Sequence, residues 1–533
     1  MFDLTLEGGR IVDGTGNPSF EADIGVLNGR VAKIGRLDGH QTGKRIDVSG
    51  LVVTPGFIDV HSHQDFVLPN ADERLAEPVV LQGVTTEVIG LCGQTAAPIP
   101  SEARDIILSY VKYLAVRELE WNWGTIEEYL KNLENGGISH NVAMLVGHTN
   151  LRLAVMGDEA RPATSKEIQA MSRLLAAALE EGAIGLSSGL QWAPSFFSEP
   201  SELIALNEVV SRYSGIYASH MRSEGDKLFE AIQEVIEVGE VTGVPCQVSH
   251  LKVAGRHNWG KMEGALRLID DARARGVDIA PDKQPYTVEN MALRACLPPW
   301  VIARAAGVHG LGTYLQDPSV RRNIMRELEE MKGAEWRKYT VDNIWRATGW
   351  ENLVVDCCPT HPEYSGQSLA QLAAARSVSA DELFFEMAAD DQSGTTAFYK
   401  FESEDELQKT LKYAWTTPIS DRFSYGHPRN WGAFPRWLGR YVRDLKLVSL
   451  EEGVRKITSL AAARCQIRDR GVLREGYWAD ITVFDEKTVA DHSTFQEPLT
   501  PPTPFPFVII NGMVVVEDGN HVGAKPGHVL RRH

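Results

Sequence analysis

At 533 residues the chain is longer than a typical single domain, so two or three structural units are expected. Its 43% hydrophobic and 23% charged residues are those of a soluble globular protein with a sizeable core. The 54 Lys and Arg against 71 Asp and Glu leave a formal charge of −17, which argues against nucleic acid or an anionic membrane as the main partner. The overall charge says little about a small-molecule substrate, and the oligomeric state is not written in the sequence. No apolar run approaches the roughly 20 residues of a membrane span. The six cysteines are scattered apart from the adjacent Cys357 and Cys358, as in a reduced compartment. Met1-Phe2-Asp3-Leu4 has no basic segment leading into an apolar one, so no secretory signal is expected and the location expected is cytoplasmic.

The first 54 residues read as short alternating strands with tight turns at Asp13-Gly14 and Asn28-Gly29. Residues 469–533 repeat that texture, with strands at Ala479–Phe484, Phe507–Ile510 and Met513–Val516 around the Asn511-Gly512 turn. Neither end has enough strands for a core of its own, so together they are expected to form one small β-sandwich. Between them, residues 55–468 carry apolar runs with little alternation. These are Gly56–Val60, Val84–Ile89, Val142–Gly147, Ala183–Leu186, Gly215–Ala218, Pro245–Val248, Val277–Ala280 and, after a long gap, Ala414–Ile419. Runs ending near Ala218, Val248 and Ala280 are about 30 residues apart, the length of a βαβ unit, and Glu224–Thr242 is a helical segment stopped by Gly243. Strands of this kind joined by helices indicate a parallel sheet covered on both faces, and eight of them a closed (β/α)8 TIM barrel. The gap holds the last barrel helix and an inserted segment at about 288–352, in which helical pieces such as Ser319–Lys332 suit a lid.

In a parallel barrel the C-terminal ends of the strands form the active face. Strand one ends in His61-Ser62-His63, whose two imidazoles point the same way because alternate strand residues share a face. Strand two runs into Cys92, strand five into His220, strand six into His250 and strand eight into Asp421. Each has an ordinary structural reading when taken alone: a core histidine, a small buried thiol, a helix cap. Six such residues at five strand ends are instead the donor set that zinc favours.

The segment Thr54-Pro55-Gly56-Phe57-Ile58-Asp59-Val60-His61-Ser62-His63 resembles the opening signature of the amidohydrolase superfamily. Gly83-Val84-Thr85-Thr86, Cys92-Gly93, Val146-Gly147-His148, Ser219-His220-Met221-Arg222, Ser249-His250-Leu251-Lys252, Asn258-Trp259-Gly260-Lys261, Pro285-Tyr286-Thr287, Ser420-Asp421 and His427-Pro428-Arg429 are similar to its D-aminoacylase branch. That resemblance implies a tightly held zinc on Cys92, His220 and His250, and a second, weaker or empty position on His61, His63 and Asp421. It also implies that Lys252, Tyr286 and Arg429 hold the substrate α-carboxylate, with His148 and Arg222 orienting ligands or touching substrate. The chemistry expected is hydrolysis of an N-acyl-D-amino acid by a metal-activated hydroxide, with Asp421 as general base and then acid.

Strand four carries Ser187-Ser188-Gly189 and no lysine to bridge two metals, which counts against a cyclic amidase of the hydantoinase or dihydroorotase kind. A catalytically silent scaffold would have lost ligands, and none is lost. Leu91, Gln94, Lys283-Gln284 and Arg422 depart from the branch around the metal centre and leave open an altered substrate, either one with an additional acidic group or a different amide altogether.

Overall fold

A computed structural model describes the chain except residues 38, 116, 306, 331–341, 343, 391–393, 424–425 and 533. Among the described residues the barrel strands are Phe57–Ser62, Val84–Ile89, Asn141–Met144 continued by Val146–Gly147, Gly185–Gly189, Ile216–His220, Cys246–Val248, Ile279–Lys283 and Thr417–Pro418. All neighbours pair in parallel. The third strand is interrupted at Leu145, whose N–H still donates to Ile89 O at 3.0 Å, so the order runs on from one sheet segment to the next. The ring closes where Ser62 bridges Arg422 and Asp421 N–H donates to His61 O at 3.0 Å.

These strands are buried on both faces, as their continuous apolar runs require. Helices such as Ser165–Glu180, Pro200–Arg212, Leu228–Thr242 and Met262–Ala274 cover the outside. The helix after strand five begins at Leu228, later than the expected Glu224, and ends at Gly243, whose φ of 68° is the left-handed stop that glycine provides. Residues 224–227 are thus released from the helix, and Glu224 lies with His220 and His250 at the barrel mouth.

Strands from both chain ends join one nine-stranded sheet, in which Ile481–Phe484 lies antiparallel to Val52–Pro55. Hydrogen bonds thus connect what was expected as two layers, and Leu4, Leu6, Ile24, Val26, Ile481 and Ile509 share a single apolar cluster there. The tail pairs elsewhere: Val142 N–H donates to His528 O at 2.9 Å, adding the tail to the start of the third barrel strand.

The inserted segment reaches farther than 352. Thr396–Tyr399 is the central strand of an antiparallel sheet between Glu289–Ala292 and Leu353–Cys357, so the insertion is tied together across residues 289–399. Helix Pro318–Glu330 occupies most of the expected Ser319–Lys332 stretch, whose last two residues lie outside the described residues. Among the described residues no helix is long and apolar enough to cross a membrane.

Candidate active site

The strand ends deliver their side chains to one cavity, lined by His63, Cys92, His220, His250, Lys252, Asp421 and Arg429 among others. Backbone strain marks the delivery. Cys92, His250 and Asp421 hold φ values of 53°, 37° and 48°, a left-handed region that non-glycine residues occupy only where the surroundings enforce it. Gly93 follows Cys92 with φ of 74° and packs so closely on Ser188 and Gly189 that a Cβ there would collide with backbone.

Cys92 Sγ lies 3.3 Å from His61 Nε2 and 3.5 Å from His250 Nε2. Asp421 Oδ1 lies 3.5 Å from His61 Nε2 and 3.6 Å from His63 Nε2. The donor atoms of His61, Cys92 and His250 fall within 4.8 Å of one another, as do those of His61, His63 and Asp421 and those of His220, Glu224 and His250. The His220 ring stands edge-on to His250 with centroids 4.5 Å apart, while its Nε2 pairs with Gln191 Oε1 at 2.7 Å. Carboxylates sit behind two of the imidazoles: Asp282 Oδ1 is 3.4 Å from His61 Nδ1, and Glu224 Oε1 is 2.8 Å from His250 Nδ1. Such partners fix the orientation of a metal-ligating imidazole.

The electrostatics fit a cation. Desolvation would raise the Cys92 thiol, but the charges of His61 and His250 and hydrogen bonds from His220 and His250 outweigh it and hold the thiol well below its ordinary range. Desolvation would likewise raise Asp421, yet Arg429, His63 and His61 keep it well below the usual carboxylate range. His63 moves the other way: burial opposes its charge, but Asp421 and Cys92 push it up to about 9. A thiolate and a carboxylate are therefore balanced by protons on imidazoles, and a divalent cation held by neutral imidazoles supplies the same charge. The buried His63 Nδ1 has no hydrogen-bond partner among the described residues.

Lys252 and Arg429 both reach the cavity wall. Lys252 Nζ lies 2.7 Å from Glu224 Oε1, and Arg429 Nη1 donates to Asp421 Oδ2 at 2.8 Å. Glu289, which sequence reasoning missed, stands between them, 3.5 Å from Lys252 and 3.4 Å from Arg429. Lys283 is turned away from the metal-ligand cluster and pairs with Glu402 at 2.7 Å.

Three expected substrate residues lie off the cavity wall. The Tyr286 ring stands edge-on to His427 at 5.2 Å and beneath the Arg436 guanidinium at 4.7 Å, which turns its hydroxyl toward Gly432 and Asp491. Arg222 is buried against Glu234, with its Nε at 3.1 Å, and His148 Nε2 meets Glu202 Oε1 at 2.8 Å. The Arg222 charge and the His148 imidazole, whose pKa burial and the nearby Arg152 lower, are both taken up by carboxylates of the surrounding helices, Glu234 on Leu228–Thr242 and Glu202 on Pro200–Arg212. Glu202 also accepts from Arg152 Nη1 at 2.5 and 2.6 Å; desolvation raises its carboxyl, but His148 and Arg152 bring it down to about 2 from 4.5. Glu202→Ala is expected to lower stability by ~3–5 kcal/mol in denaturant unfolding, because it strands a buried guanidinium. The wild-type contribution is present above pH 4.5 and lost as pH falls toward 2, so the gap between the two proteins narrows in acid.

A (β/α)8 barrel with thiolate, imidazole and carboxylate donors gathered at its C-terminal mouth is the architecture of a metal-dependent hydrolase. The model of the amidohydrolase family matches residues 44–338 and 340–516. The chain is 35% identical to a D-aminoacylase of Alcaligenes xylosoxydans xylosoxydans, covering 100% of this chain and 98% of the relative. It is similar over 100% of both chains to a D-aminoacylase of known structure, with 34% identity and a TM-score of 0.82. An N-acyl-D-glutamate deacylase from Bordetella bronchiseptica, solved with zinc and a phosphonate mimic of the tetrahedral intermediate, matches at 34% identity and a TM-score of 0.82 over 99% of both chains. The chain belongs to the amidohydrolase family, in the branch that contains the D-aminoacylases.

Proposed function

We propose that the protein hydrolyses the linear amide of N-acyl-D-amino acids, with zinc at the cavity floor. The observation that carries this is the convergence of Cys92, His61, His63, His220 and His250 around Asp421, in a chain that aligns end to end with D-aminoacylases. Cys92, His220 and His250 would hold the tightly bound zinc, and His61, His63 and Asp421 a second, weaker position. The D-aminoacylase of known structure is itself described by one-metal activation and second-metal attenuation. When bound, zinc supplies the Lewis acidity that makes water a nucleophile near neutral pH and polarises the amide carbonyl.

The chain's own groups do the rest. Asp421, kept anionic beside Arg429, takes the proton of the attacking water and returns it to the departing amine, which leaves poorly unless protonated. Arg429 and Lys252 present the cations that hold the substrate α-carboxylate. Glu224 and Asp282 keep His250 and His61 turned toward the floor. The strand-four end, Ser187-Ser188-Gly189, offers no lysine for a bridged two-metal centre of the cyclic amidase kind. Six free cysteines support a cytoplasmic location.

The test is amine release from matched N-acyl-D- and N-acyl-L-amino acids by zinc-supplemented protein. Release from the D series alone is expected; equal release from the L series overturns the assignment.

A further inference from the structure

The cations that would hold the substrate α-carboxylate already face a carboxylate of the chain itself. Glu289 opens the short insertion strand Glu289–Ala292 and is buried in the cavity wall. Its Oε1 lies 3.5 Å from Lys252 Nζ and its Oε2 3.4 Å from Arg429 Nη1, one oxygen for each cation. Behind it, Lys283 Nζ stands 3.3 Å from the same Oε1, which also accepts from Gln284 Nε2. Each cation has a nearer partner of its own: Glu224 for Lys252, Asp421 for Arg429 and Glu402 for Lys283, at 2.7, 2.8 and 2.7 Å. Glu289 is therefore a fourth carboxylate among three cations. Desolvation would raise its carboxyl, but Lys252, Lys283 and Arg429 bring it below its ordinary value, so it is charged at neutral pH. The surplus shows at Glu402, which desolvation pushes up to about 7, with the Glu289 charge adding to it against Lys283.

We propose that Glu289 is a specificity-determining residue, a built-in counter-ion of Lys252 and Arg429 that admits N-acyl-D-amino acids with an amidated α-carboxyl beside the free acids. This rests on the deacylase reading. A free α-carboxylate approaching the two cations meets the like charge of Glu289 in a wall shielded from water, which weakens its binding. Glu289 can fall back on Lys283 and Gln284, whose contacts do not depend on the front pair, so the acid is bound weakly and not excluded. Those two residues are among the positions that depart from the branch. A carboxamide brings no charge and fits the mixed wall better: its oxygen accepts from a cation, and its NH2 donates to Glu289.

Acetate release from N-acetyl-D-norvaline and N-acetyl-D-norvalinamide is compared for zinc-loaded wild type, Glu289→Gln and Glu289→Asp, and binding of both compounds is measured by calorimetry. Wild type is expected to hydrolyse both, with KM values within about 10-fold of each other. Glu289→Gln keeps the shape and removes the charge, and should lower KM for the acid roughly 10-fold or more with kcat little changed. The amide should not gain, so the variant turns the enzyme toward free acids. Glu289→Asp keeps the charge and should stay near wild type, and cooperative thermal unfolding of both variants reports an intact fold. Should Glu289→Gln not fold, the wild-type comparison of acid and amide still decides. A wild type inactive on the amide, or favouring the acid by more than that margin, overturns the proposal. So does a KM for the acid that is unchanged or raised in Glu289→Gln, which would make Glu289 the group that positions the two cations. If neither compound is hydrolysed the deacylase reading fails. Glu289 then stands only if Glu289→Gln binds the acid more tightly than wild type and the amide no more tightly, and falls on any other result.

Discussion

Asp421→Asn, loaded with zinc, is expected to keep its tightly bound metal and to lose turnover by ~100-fold or more. The carboxylate occupies a position that suits a proton shuttle: it touches His61 and His63 on one oxygen and accepts from Arg429 on the other. Its charge is held by those neighbours, so at neutral pH it is a base in waiting rather than an acid. Asparagine preserves the shape and the acceptor for Arg429 and cannot take up the water's proton. The zinc expected on Cys92, His220 and His250 does not depend on it. Metal content by elemental analysis should therefore stay near one zinc per chain while kcat collapses. A second outcome is separable. If Asp421 mattered chiefly as the partner that aims Arg429 at the substrate carboxylate, KM would rise with kcat little changed. Near-normal turnover in the zinc-loaded variant would remove Asp421 from the proton transfer.

Much of the barrel was legible because its strands are apolar on both faces and end in the same kind of residue. Val84–Ile89 is found where the run of residues places it, and the strands at Phe57–Ser62 and Ile216–His220 differ from the expected runs only at their ends. The inserted sheet was not legible. Its strands Glu289–Ala292, Leu353–Cys357 and Thr396–Tyr399 are four or five residues long and meet from far apart in the chain, so no local pattern announces the pairing. The same limit applies to the cavity. His61, Cys92, His220, His250 and Asp421 could be read because a strand end fixes where a side chain goes. Glu224 carries a faint signal, four residues beyond His220, whereas Glu289 and Arg294 are brought to the wall by the insertion and carry none. His148, Arg222 and Tyr286 were read from motif context, which records that a residue type recurs without recording whether it serves the ligand or the frame. In this fold Glu202 and Glu234 claim the first two, and His427 and Arg436 enclose the third.

Cys92→Ala is expected to have the largest effect of any single change: loss of the tight zinc and a fall in turnover on the order of 1,000-fold. The thiol lies against the ring systems gathered at the floor, those of His61, His63, His220 and His250, and its negative charge faces their imidazoles. Alanine leaves the imidazoles facing one another with no anion between them, and a metal would then lose its only thiolate. Activity alone cannot separate a lost ligand from a distorted loop, because Cys92 sits at a φ of 53° beside the tightly packed Gly93. Thermal unfolding with and without zinc can. A ligand that binds only the folded state raises Tm, so wild type should gain stability on zinc addition and Cys92→Ala should not, while both unfold cooperatively without metal. Cys92→Asp supplies the rescue, since aspartate tolerates the left-handed backbone better than most residues and offers a carboxylate donor. It should regain part of the zinc-dependent rise in Tm. A Cys92→Ala protein with the wild-type zinc response and turnover would return the floor to His61, His63 and Asp421 as the primary metal position, and the thiolate would then be a counter-charge to the imidazoles rather than a ligand.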